Sequence, residues 1–176
     1  MEKTQKYPKA MIVIHWLTFI LFAVIFYVGI TMEDYEFNEA NFNRYRTHAI
    51  LGVMVAILTV IRLFIKKKNK DNLPEEIAYY SPAHEKMVKT VLGLIYLLMI
   101  VTPVVGFIMV YQTGAMAYDL GGEFPTGAKF NETLETVHKT LVFILSGLIV
   151  IHIAGVIIYK LKTGENLIKR MCLLMK

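Results

Sequence analysis

A chain of 176 residues is about one domain's worth of polypeptide, too short for separate membrane and soluble modules. It is 56% hydrophobic and 19% charged, with mean hydropathy +0.50; a soluble domain of this make-up would expose too much apolar surface, so lipid is the expected solvent. The net charge of +5 does not indicate a nucleic-acid binder, because the basic residues flank apolar segments and form no surface interleaved with aromatics. Cys172 has no second cysteine to pair with, which excludes an internal disulfide and the Cys-x-x-Cys-His tether of a c-type haem.

In chain order, a basic stretch with Lys3, Lys6 and Lys9 precedes an apolar run from Ala10 to Met32. That run is longer than a signal peptide's apolar region and lacks a small-residue cleavage site, so a retained first helix is expected. Crossing the hydrocarbon takes about 20 helical residues. Four segments come near that length: Lys9 to Met32, Tyr45 to Ile65, Met87 to Tyr111 and Thr133 to Tyr159. The intervening Glu33 to Asn43, Lys66 to His84 and Gln112 to Glu132 are rich in charge, Gly, Pro or Asn and read as loops. The expected fold is an all-α integral membrane four-helix bundle, one domain over residues 1–176.

Lys and Arg set the orientation. Most of the 19 lie in the N-terminal stretch, in the second loop and just beyond it (Lys66, Lys67, Lys68, Lys70, Lys86, Lys89) and in the tail (Lys160, Lys162, Lys169, Arg170, Lys176). The opposite side holds only Arg44, Arg46, Lys129 and Lys139, beside the acidic Glu33, Asp34, Glu36 and Glu39, and Arg62 lies inside a span. Both termini are therefore expected to face the cytoplasm.

Ionisable side chains inside spans are costly and mark function. His15, His48, His138 and His152 all fall there. His15 lies near the cytoplasmic start of the first span and His152 near the cytoplasmic end of the fourth, while His48 and His138 lie near the outward starts of the second and fourth. His138 and His152 are 14 residues apart, which returns to within about 40° of one helix face about 21 Å farther along. One helix thus presents two imidazoles at two depths, each level with a histidine on another helix. Imidazole is a standard axial ligand of haem iron, and bundles build cofactor sites from facing helices. The spacing predicts two haems, one between His15 and His152 and one between His48 and His138. A lone membrane histidine is more simply a packing residue or proton relay, but four matched in depth on three helices are not. A single zinc site is excluded, since ligands so far apart cannot meet around one ion with bonds of about 2 Å.

Gly52, one turn after His48, and Gly155, three residues after His152, would leave room for a flat macrocycle; close helix packing would equally favour them. Arg62, 14 residues after His48, places a cation at the depth of the cytoplasmic pair, where a propionate is the expected partner and snorkelling to the surface the alternative. Arg44 and Arg46 either pair with propionates on the outward side or end the span. Pro103 marks a kinked third span, which has no buried histidine and is expected to close the bundle. His84, in Ser81-Pro-Ala-His-Glu85, is expected at the interface. Trp16 and many tyrosines lie near span ends, where an aromatic belt is expected.

Ile14-His15-Trp16, His48-x-x-x-Gly52 followed by Arg62-Leu63, Tyr96 before Pro103-x-x-Gly106, His138 with His152, and the tail's Asn166-Leu167 and Arg170-Met171 together resemble the bacterial cytochrome b561 family. Order, spacing and length carry the likeness, which covers nearly the whole chain. The resemblance implies a bacterial inner-membrane cytochrome with two haems b on the first, second and fourth helices, exchanging electrons with quinone. Some similar members imply a narrower activity, oxidising superoxide at the outer face and reducing ubiquinone. Leu92 departs from the pattern, standing where the family often has a histidine.

Three classes stay open at this point. They are a self-contained oxidoreductase, a haem-bearing membrane anchor relaying electrons for a separate dehydrogenase or hydrogenase, and a haem-free transporter using histidines as proton relays. A small anion such as superoxide or a redox protein could serve as donor, and the opposed outward charges do not choose between them.

Overall fold

A computed structural model describes residues 6–173. Lys3 and Lys176, counted for orientation, lie outside the described residues. The chain forms α1 (Lys9–Met32), α2 (Phe42–Lys68), α3 (Pro82–Gln112), the short α4 (Met116–Asp119) and α5 (Glu132–Thr163). No strand occurs among the described residues. The four long helices are long and apolar enough to cross a membrane. Their exposed faces carry large apolar side chains such as Ile20, Phe64, Phe143 and Val150, as lipid requires. The protein is a multi-pass membrane protein with an all-α four-helix bundle.

Local chemistry explains where the helices run past their expected bounds. Ser81 caps α3 by accepting a hydrogen bond from the His84 N–H at 3.2 Å, and Pro82 occupies the first turn, where its missing N–H costs nothing. His84 is therefore helical and not part of a loop. Its ring stacks on Tyr80 at 4.7 Å and accepts from the Tyr80 N–H. Asn131 caps α5 by accepting from Thr133 and Leu134, and Gly164 ends it in the left-handed region at φ 75°, as a glycine C-cap does. The helical assignment of α3 continues through Pro103.

α1 packs on α2, α2 on α3 and α3 on α5. α5 lies backbone-close to α3 and meets the other long helices mainly through side chains. At mid-depth Val55 of α2, Leu98 and Met99 of α3 and Leu145 of α5 form the buried core, flanked by Leu21 and Phe22 of α1. Leu145 is seven residues from both His138 and His152, about 10 Å along the axis from each. The core thus separates two histidine layers.

Each end is tied down. The first and last described segments meet at one end of the bundle, the terminal end, where the Tyr7 N–H donates to the Arg170 carbonyl at 3.1 Å. There the Trp16 indole donates to the Met171 carbonyl at 2.6 Å, and Arg170 donates to the Glu75 carbonyl and to Glu165. At the far end Phe37 packs on Phe130, Tyr45 and Phe124, and Phe42 on Tyr118.

Truncating the buried Leu145 to Ala is expected to cost about 2–4 kcal/mol through the cavity it leaves. Val150→Ala, on an exposed face, is expected to change stability by less than about 0.5 kcal/mol. Denaturant unfolding in mixed micelles distinguishes the two.

Candidate haem-binding layers

At the far end the structure brings together His48 of α2 and His138 of α5. Their ring centres are 6.2 Å apart, with planes inclined at 71°. Two imidazoles sharing one ion, each nitrogen about 2 Å from it and each ring centre about 1 Å farther back, stand about 6 Å apart. The observed separation therefore fits a shared axial position. His138 Nδ1 lies 3.1 Å from the Thr102 carbonyl oxygen. A carbonyl only accepts, so Nδ1 carries the proton and Nε2 of a neutral ring keeps its lone pair for a metal.

At the terminal end His15 of α1 and His152 of α5 interact electrostatically with each other, and Arg62 of α2 with both. The placement of Arg62 read from 14-residue spacing thus puts it beside this pair. Its guanidinium carbon stands 5.4 Å from the centre of the Tyr96 ring, a cation–π contact with α3. The His15 ring meets Trp16 edge-on at 5.5 Å, and Trp16 is the residue pinned by the tail.

Among the described residues, three buried side-chain polar atoms have no hydrogen-bond partner: His48 Nδ1, Arg62 Nε and Thr102 Oγ1. Buried polar groups are almost always satisfied, so orphans mark places where a further group belongs. All three lie at the histidine layers, none in the apolar core between. A ligand with carboxylates suits Arg62, and an imidazole-binding metal suits the rings, so the residues present fit haem. No three of His, Cys, Asp and Glu are placed to share one ion among the described residues, and the intramembrane histidines come together two at a time.

The other sequence candidates fall as follows. A Cβ at Gly52 would meet Ile25 Cδ1 at 3.3 Å and Pro103 Cβ at 3.9 Å, so its missing side chain lets α1 and α3 approach α2. Gly155 has nothing within 4 Å of such a Cβ. Arg46 is paired with Asp119 at 2.7 Å, and Lys139 with Glu33 and Glu135 at 3.2 and 2.9 Å. Arg44 stacks over the Tyr35 ring at 3.8 Å and lines an open cleft of about 750 Å³ with Tyr27, Thr31, Asn43, Thr47 and the acidic Asp34. Two residues escaped sequence reasoning in this role: Gly29 and Gly106, which lie against the far-end rings. Gly106 stands in the quoted Pro103-x-x-Gly106 pattern, but its facing partner depends on how helices cross, which spacing along one helix does not reveal.

A family model described as prokaryotic cytochrome b561 matches residues 6–172.

Proposed function

Since the chain belongs to the prokaryotic cytochrome b561 family and is thereby a membrane protein that binds haem b and transfers electrons, we propose that its single domain holds two haems b and passes electrons between a donor and a quinone. The observation that carries the two-site reading is that, among the described residues, the orphaned buried polar atoms cluster at two layers, each with a pair of imidazoles.

His48 and His138 would hold one haem and His15 and His152 the other, each from both sides. Two imidazoles for each haem would leave its iron no place for oxygen, which favours electron transfer. When bound, haem b supplies a one-electron couple. The protein's own contribution is positional and electrostatic. The core of Val55, Leu98, Met99 and Leu145 keeps water from between the layers. Arg62 would take a propionate and adds positive charge beside the terminal-end pair, which stabilises the reduced state there. Gly52, one turn after His48, would serve the far-end site by letting α1 and α3 close on α2, since Ile25 and Pro103 occupy the space beside it.

We assign the terminal end to the cytoplasmic side of a bacterial inner membrane, by the distribution of Lys and Arg. The donor would then act at the far end. Arg46 and Lys139 are held in ion pairs with acids, so they contribute little long-range steering. Arg44 stands in the open cleft, and a small anion such as superoxide would be taken up there by contact. Two superoxide anions would yield two dioxygen molecules, their two electrons with two protons converting one ubiquinone to ubiquinol.

Replacing each histidine in turn by Ala is expected to remove one haem of two, the same haem for His15 and His152 and the other for His48 and His138. Haem quantification with reduced-minus-oxidised spectra reads this, and a colourless wild-type protein after haem-replete expression would sink the proposal. Arg62→Leu is expected to lower the midpoint potential of the terminal-end haem, by on the order of 1–2 kcal/mol of reduction free energy at an effective dielectric near 20. A redox titration checks the sign. Superoxide-dependent reduction of ubiquinone by the purified protein tests the donor.

A further inference from the structure

Two helices that give no ligand to the far-end pair meet its rings in matching fashion. On α1, a Cβ built at Gly29 would lie 3.0 Å from His48 Cε1, 3.5 Å from Nδ1 and 4.0 Å from Nε2. On α3, one built at Gly106 would lie 3.1, 3.4 and 3.9 Å from the same three atoms of His138. Each ring therefore turns its Cε1–Nδ1 edge to a glycine, with Nε2 the farthest of the three atoms. One helical turn before each glycine stands a backbone carbonyl facing the ring. That of Thr102 accepts from His138 Nδ1 at 3.1 Å. That of Ile25 interacts with His48 but does not satisfy its Nδ1 by hydrogen-bond geometry.

We infer that Gly29 and Gly106 are positioning residues that seat the His48 and His138 rings against α1 and α3, fixing ring rotation so that both Nε2 atoms serve one metal. The inference rests on the two-haem reading and extends it by giving α3, which carries no intramembrane histidine, a part in the far-end site. Absence of a side chain is the operative property. A methyl group at 3.0–3.1 Å from a ring atom is tighter than ordinary packing allows, so the ring must move by a few tenths of an ångström. Displacement from α3 would also weaken the Nδ1–H bond to the Thr102 carbonyl. That makes the imidazole a poorer donor to ferric iron and raises the potential. His48 has no such bond to lose, so the two seats are unequal.

The test compares the haem-loaded wild-type protein with Gly29→Ala and Gly106→Ala. Gly93→Ala and Gly147→Ala serve as controls, because nothing lies within 4 Å of a Cβ at either position. Both seat variants are expected to shift the low-spin EPR signal of the haem that His48 and His138 variants remove. Gly106→Ala should also raise that haem's midpoint potential, while the other haem keeps its signal and the controls move neither. Unchanged signals in both variants, or equal shifts of both haems, would overturn the inference. A shift in one variant alone would overturn the seat on the other helix. Should an alanine variant not accumulate in the membrane, ENDOR of the wild-type ferric protein decides. Strongly retarded deuterium exchange is expected at the His138 Nδ1 proton, which the Thr102 carbonyl holds, and rapid exchange there overturns the seats. A wild-type protein with fewer than two haems would instead defeat the two-haem reading.

Discussion

A ring nitrogen placed between membrane-spanning helices has no water to turn to, and leaving it without a partner costs several kcal/mol. Four imidazoles and a guanidinium inside the spans therefore impose order on everything around them. The far-end rings lie within the spacing of a shared ion, and one already has its outer nitrogen bound to a carbonyl. Arg62 lies over the Tyr96 ring and beside the terminal-end pair. Between the layers Val55, Leu98, Met99 and Leu145 pack together, and the buried Thr59 hydroxyl beside Met99 is satisfied by the Val55 carbonyl, so the unmet polar demands among the described residues fall at two depths.

The depth pairing was legible in the sequence because a helix advances regularly: 14 residues separate His138 from His152 and His48 from Arg62, and that interval nearly closes four turns. Span number was legible for the same reason, since apolar length has a direct meaning in a bilayer. The ends of the helices were less so. His84 was placed before its helix because hydropathy begins later than the Ser81 cap, and α4 lies within a segment read as loop. Charge pairing was hidden too. Arg46 meets Asp119, 73 positions away, and Lys139 meets Glu33, contacts set by how the far-end loops fold back. The opposed outward charges that the sequence shows are thus in part paired with one another.

The glycines show a different limit. Proximity to a histidine along one helix singled out Gly52 and Gly155, whereas the glycines touching rings sit on neighbouring helices. Which residue faces which across a crossing depends on helix rotation and axial offset, neither of which periodicity supplies. Pro103 belongs to the same lesson. It reads as a disturbance of the third span, yet the helix carries on and its Pro103 side chain becomes part of the surface against Gly52.

The order in which the ribosome delivers these parts has its own consequence. Both histidine pairs draw one member from α5, the last long helix to be synthesised. α1, α2 and α3 can pack on one another beforehand, but neither layer is complete until α5 has inserted against α3. On the two-haem reading, cofactor capture would then wait for α5, and a nascent protein stalled or clipped before Glu132 would be a stacked helical remnant with solitary imidazoles, an obvious substrate for membrane quality control.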